Sequence, residues 1–188
     1  VGLKCIVMDH RIYDLSCKIE SLVGEGKDFA TMNALVEKLT EYTAPYINHA
    51  AFYGLELKDE PFYINFDAIA DLYAALREIK PDIYLNCVML PYTDNAQTKY
   101  TDDISLVGKT AYRDYVKEFL SKTGAGYFDY DDYPFMNEKN NRKVAYFKDS
   151  YLSTLQIAAQ ESAKQNAEFY LTLQSYTSTK TSRMRKRE

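Results

Sequence analysis

Glycosidic bond cleavage needs two carboxyl groups, one to protonate the departing oxygen and one to act as nucleophile or base, held roughly 5 to 9.5 Å apart. The 188-residue chain offers acidic residues for that work where apolar runs stop. Glu60 ends Lys58-Asp59-Glu60-Pro61, and Asp131 lies in Asp129-Tyr130-Asp131-Asp132-Tyr133-Pro134. Glu60 is the candidate proton donor and Asp131 the candidate second carboxylate, with Asp129 next. Asp9, His10 and Asp59 are candidate sugar contacts at similar run ends. Tyr92, Tyr133 and Tyr176 add aromatic rings that pack against the apolar face of a sugar, and Gln174 stands beside Tyr176 as a further polar contact. Each residue also has a plain structural role open to it. Glu60 can be a solvated loop or cap residue, the Asp129–Asp132 cluster a solvated end or an oxygen-ligand calcium site, and the tyrosines core filling. Glu56 and Lys58 alternate on one side of their run and are expected to form a structural ion pair.

These residues need elements to hold them. Strands are expected at Val1–Met8, Ala50–Leu57, Ile83–Leu90, Tyr127–Tyr130 and Phe169–Leu173. Between them the helical spacing of Phe29, Met32, Leu35, Val36, Leu39 and Tyr42 predicts a helix capped by Asp28. A second carries Phe66, Ile69, Leu72, Tyr73, Leu76 and Ile79 and is stopped by Pro81. A third carries Tyr112, Tyr115, Val116, Phe119 and Leu120 and is ended by Gly124 and Gly126. A fourth is expected from about Val144 to Asn166. Strands alternating with helices indicate a parallel sheet covered by helices. An open doubly wound sheet normally carries a glycine-rich phosphate turn. Gly24 and Gly26 lack its spacing, so a (β/α)8 barrel, whose chemistry lies at the C-terminal strand ends, fits better. Five strands fall short of eight. The expected architecture is therefore an incomplete barrel within one domain, 1–188, cut at both ends, with 177–188 a polar, basic tail.

Composition narrows the partners. With 23 Lys+Arg against 27 Asp+Glu the net charge is −4, the wrong sign for a chain built to grip nucleic acid. No apolar run reaches the ~20 residues of a membrane-spanning helix. Three cysteines and two histidines match no zinc or redox spacing, and no cofactor or metal site is expected. A magnesium- or manganese-dependent sugar isomerase using Asp9, His10, Glu60 and Asp131 is a minority alternative.

The run Gly54–Pro61, then Pro81-Asp82-Ile83-Tyr84-Leu85-Asn86, then Asp129–Phe135 resembles successive strand ends of clan-A-like glycoside hydrolase barrels, especially β-galactosidase-like members from carbohydrate-degrading bacteria. The resemblance spans about Val1 to Arg185. It implies that the five strands are the third to seventh of a barrel, that Glu60 matches the family acid/base, and that the chain acts on an oligo- or polysaccharide outside the cytoplasm. Asp59 departs from the family Asn. Gln174 stands near the place of the family's nucleophilic Glu, where it cannot form a glycosyl ester. The alternatives are a barrel that binds glycan without cleaving it, or an inactive fragment of a larger hydrolase. An incomplete barrel also exposes sheet edges, which predicts self-association.

Overall fold

The computed structural model describes residues 2–92, 109–139, 142–147 and 150–173. The chain runs β1 (Cys5–Val7), α1 (His10–Ser16), α2 (Met32–Thr43), β2 (Phe52–Asp59), a 3-10 turn (Tyr63–Asn65), α3 (Phe66–Ile79), β3 (Tyr84–Met89), α4 (Lys109–Thr123), β4 (Tyr127–Asp131), β5 (Phe135–Lys139), β6 (Arg142–Phe147), α5 (Tyr151–Lys164) and β7 (Glu168–Thr172). The protein is α/β. Five strands form one all-parallel sheet in the order β1-β2-β3-β4-β7, and β5 and β6 form a separate antiparallel hairpin.

Local chemistry sets the element ends. Asp9 caps α1 by accepting from the Arg11 N–H at 3.0 Å. Thr31 caps α2 through a 3.2 Å bond from Ala34 N–H, so this helix starts later than the Asp28 cap expected from sequence. Asp28 instead pairs with Lys18 at 3.1 Å. Asn65 ties the turn before α3 to the end of α1, donating to the Cys17 and Lys18 carbonyls at 3.1 and 3.0 Å. Gly124 closes α4 in the left-handed region, φ 59°, which costs glycine little. At Gly54, paired with Tyr84, an added Cβ would stand 2.0 Å from the Tyr84 carbonyl oxygen. Only glycine lets β2 and β3 approach that closely.

The helix expected from Val144 begins at Tyr151 instead. Residues 142–147 pair with 135–139, placing Phe135 opposite Phe147 and Glu138 opposite Lys143 in register. Val144, Tyr146 and Phe147 favour strand, and Asn140-Asn141 between the two runs are turn-forming types. That local preference outweighs the helical periodicity that Phe147 happens to share with Tyr151 and Leu155.

Each parallel strand neighbours the one before it in the sheet. Among the described residues there is no reversal of order, and so no switch point of the doubly wound kind. Leu55, Leu57, Leu85, Cys87, Met89, Phe128 and Tyr130 are buried against Ile69, Leu72 and Leu76 of α3 and Tyr115, Val116 and Phe119 of α4. Phe119 bridges the layers, with its ring 5.4 Å from Phe66 and 6.2 Å from Phe128. Residues of opposite parity, Glu56, Asn86, Asp129 and Tyr170, lie on the other face. Among the described residues no helix is long and apolar enough to cross a membrane.

Candidate functional site

Three adjacent strands present Glu56, Asn86 and Asp129 on the face away from the helices. Glu56 and Asn86 are register partners in β2 and β3, and Asp129 follows on β4 opposite Val88. The Asn86 amide nitrogen donates to Glu56 Oε2 at 2.7 Å. The Tyr84 hydroxyl donates to Asn86 Oδ1 at 3.4 Å, which turns the amide so that its N–H groups face the carboxylates. Asn86 also interacts with Asp129 and draws its pKa down.

The electrostatics follow from burial. Burial pushes the Glu56 carboxyl above its ordinary value, Asn86 pulls it back, and the charges of Asp59 and Asp129 push it up again. Burial likewise raises Asp129, opposed by Asn86 and reinforced by Asp131. Burial and the charge of Asp129 hold the Tyr84 phenol up at about 12, so it stays a donor. Carboxylic acids raised in this way are the pattern of a general acid.

The tyrosines of this face form a row. Tyr53 stacks on Tyr84 at 5.0 Å, Tyr84 on Tyr127 at 4.7 Å, and Tyr127 leans on Tyr170 at 5.5 Å. Their faces are turned mostly to one another, so the row stiffens the sheet more than it offers a stacking platform. The Tyr127 hydroxyl bonds to the Leu85 carbonyl, which also accepts from Tyr73 at 2.6 Å. β3 and β4 pair only at Val88–Asp129 and Met89–Tyr130, and the two phenols serve the carbonyl below that point.

The residues singled out in the sequence divide into groups. Glu60 follows β2 half-buried, with φ 47°, and its N–H donates to the Val88 carbonyl at 2.8 Å. A non-glycine residue in this region is strained, and such strain concentrates at functional sites. Asp59 beside it is exposed. Asp131 ends β4 half-buried and acts on Asp129, placing both carboxylates on one face. Tyr133 is 38% exposed just beyond. Asp132 has the opposite parity and is buried.

Asp9 is buried and accepts from Arg11 at 2.9 and 2.6 Å and from the Tyr46 hydroxyl at 2.9 Å, so both its oxygens hold α1 and the turn after α2. His10 is exposed in the first turn of α1. Tyr92 is only 3% exposed, with its ring 6.0 Å from Tyr112 in the core. Gln174 and Tyr176 lie outside the described residues. The Glu56–Lys58 ion pair is replaced by two other contacts. Glu56 takes Asn86, while Lys58 donates to the Tyr13 hydroxyl at 3.3 Å and lies over its ring.

Asn86 was not legible as a site residue, and Glu56 looked structural. The available signal was a lone polar residue within each apolar run, Leu55-Glu56-Leu57 and Leu85-Asn86-Cys87.

Among the described residues no group of three or more His, Cys, Asp or Glu side chains is placed to hold a metal ion. A groove of about 440 Å³ lies between the C-terminal ends of α2 and α3, lined by Thr43, Ile47, Ile79 and Lys80. It opens at the opposite end of the sheet from Glu60 and Asp131. No family model, curated protein or solved structure matches this chain.

Proposed function

We propose that the chain is an arc of a (β/α)8-type barrel that hydrolyses O-glycosidic bonds of an oligo- or polysaccharide. The observation that carries this reading is the pair of half-buried carboxylates, Glu56 and Asp129, both raised by burial and both in contact with Asn86. Hydrolysis needs one carboxyl that keeps its proton and one that gives it up. The barrel arc is supported by the unreversed order of the parallel strands.

In this reading Glu60 occupies the strand end that the resemblance gives to the acid/base, and Asp131 provides the second carboxylate above the Glu56–Asp129 pair. The test is turnover of a panel of chromogenic aryl glycosides by the chain and by E60Q, D131N, E56Q and D129N. Loss of about 100-fold or more in kcat on the Glu60 and Asp131 substitutions assigns the chemistry to the strand ends. Loss confined to Glu56 and Asp129 moves it to the deeper pair. Glycan binding without turnover anywhere on the panel replaces hydrolysis by non-catalytic recognition.

A further inference from the structure

Asn86 is 6% exposed, and all its polar capacity points along the open face. Its nitrogen meets Glu56 at 2.7 Å, its oxygen meets the Tyr84 hydroxyl at 3.4 Å, and Asp129 on the neighbouring strand feels the same amide. An amide cannot itself take or release a proton near neutral pH, so it cannot relay one. It can offer its two N–H groups to two carboxylates at once and reward whichever is ionised. The charge of Asp129 also acts on Glu56.

We infer that Asn86 is a positioning residue that binds Glu56 and Asp129 into a single proton-holding unit, in which the ionisation of one carboxylate sets that of the other. Its use in catalysis rests on the hydrolase reading; the coupling itself does not. The unit takes up and releases protons in two steps that belong to the pair and to neither residue alone. The half-ionised state, with one proton on the pair, is the form that holds an acid and a base side by side.

Among the described residues the groups around the unit are Asp59 and Lys58 from β2, Tyr84 from β3 and Asp131 from β4, with the Cys87 thiol behind the sheet on the helix side. Lys58 is directed at Tyr13 and does not neutralise Glu56. Glu168 and Tyr170 of β7 complete the surroundings, bonded to each other. Removal of any of these charges shifts the unit as a whole, whereas Asn86 acts on the link within it.

The test is a carboxyl-carbon NMR titration of the full chain and of four variants. In D129N the Glu56 midpoint falls, and in E56Q the Asp129 midpoint falls by the same amount, because coupling free energies are reciprocal. Each shift is expected on the order of half a pH unit or more. In N86L both midpoints rise, since both ionised forms lose a donor. Y84F keeps the amide and the fold but frees its orientation, and it moves both midpoints in the N86L direction by less. Unequal or absent cross-shifts, or an N86L effect on Glu56 alone, overturns the inference. Reciprocal shifts in a chain that cleaves no glycoside leave the inference standing and end the hydrolase reading. Turnover in a chain whose cross-shifts are absent leaves the hydrolase reading standing and overturns the inference.

Discussion

The Tyr115 hydroxyl donates to the Pro61 carbonyl at 2.7 Å from the buried face of α4. The same oxygen lies 3.3 Å from the Leu90 N–H, so one phenol joins the segments leaving β2 and β3. The residue it steadies by proximity is Glu60, whose charge raises the Tyr115 phenol further. A helix side chain thus fixes the backbone that carries the candidate acid.

Tyr115→Phe is expected to destabilise the chain by about 1–3 kcal/mol, because it strands the buried Pro61 carbonyl and the Leu90 N–H. Urea denaturation measures this. If Glu60 does the chemistry, kcat falls more than the stability loss alone explains, read at a temperature where the variant remains folded.

Glu60 sits at φ 47°, a conformation that glycine adopts without steric cost. Glu60→Gly is therefore expected to stabilise the fold by about 0.5–1 kcal/mol, while aryl glycoside turnover is lost. A rise in Tm together with that loss identifies strain retained for function. A fall in Tm shows instead that the Glu60 side chain contributes to the fold.

Gly54→Ala pushes a methyl group into the Tyr84 carbonyl, a backbone atom that moves only if β2 moves from β3. A loss of about 2 kcal/mol or more is expected, at the upper part of the range for overpacking. Gly126→Ala is the control. Nothing lies within 4 Å of its added Cβ, and its stability change should be small, since its backbone is not in the left-handed region.

Burial raises the Glu56 carboxyl above its unfolded value of 4.5. The folded chain then holds that proton more tightly than the unfolded chain. The stability this provides is complete below 4.5 and is lost as pH rises through the folded value. At pH 7 the ionised Glu56 is a net cost, so E56Q should be the more stable of the two. The gap should close as pH falls toward 4. Asp9 has the opposite sign. Its carboxyl is lowered chiefly by Arg11, so its contribution is present above 3.8 and is lost as pH falls through the folded value. Thermal melts of wild type and E56Q across pH 4 to 7 read the Glu56 effect alone, because that of Asp9 changes only below 3.8.

Much of the sheet was readable because its central strands are short apolar runs closed by proline or acidic residues. Ile83–Leu90 contains β3, and the helix phase of Phe66 to Ile79 matches α3 from end to end. The seven-residue α1 escaped notice because His10–Ser16 spans only two turns, with Ile12, Tyr13 and Leu15 too few to show a helical period, and its start depends on the Asp9 cap. The β5–β6 hairpin was hidden by a coincidence of spacing between Phe147 and the residues of α5.

For the site, the rule that barrel chemistry lies at strand ends led to Glu60 and Asp131. It gave no reason to look inside β2 and β3. Glu56 and Asn86 meet only because the register sets them opposite each other, and register between distant parallel strands is not written in either strand alone.

The strand order has a consequence for how the chain comes to be folded. Every strand added to the sheet before the hairpin joins the edge formed just before it, so no pairing waits for a segment made much later. Such a sheet can be laid down from the N-terminus as the chain leaves the ribosome, each strand docking on a finished neighbour. Only β7 must look past an intervening excursion, the β5–β6 hairpin, to find β4. That closure crosses 36 residues, against 44 between β1 and β2 and 37 between β3 and β4, so its loop entropy is no greater than theirs, and it adds the strand bearing Glu168 and Tyr170 to a face already holding Glu56, Asn86 and Asp129.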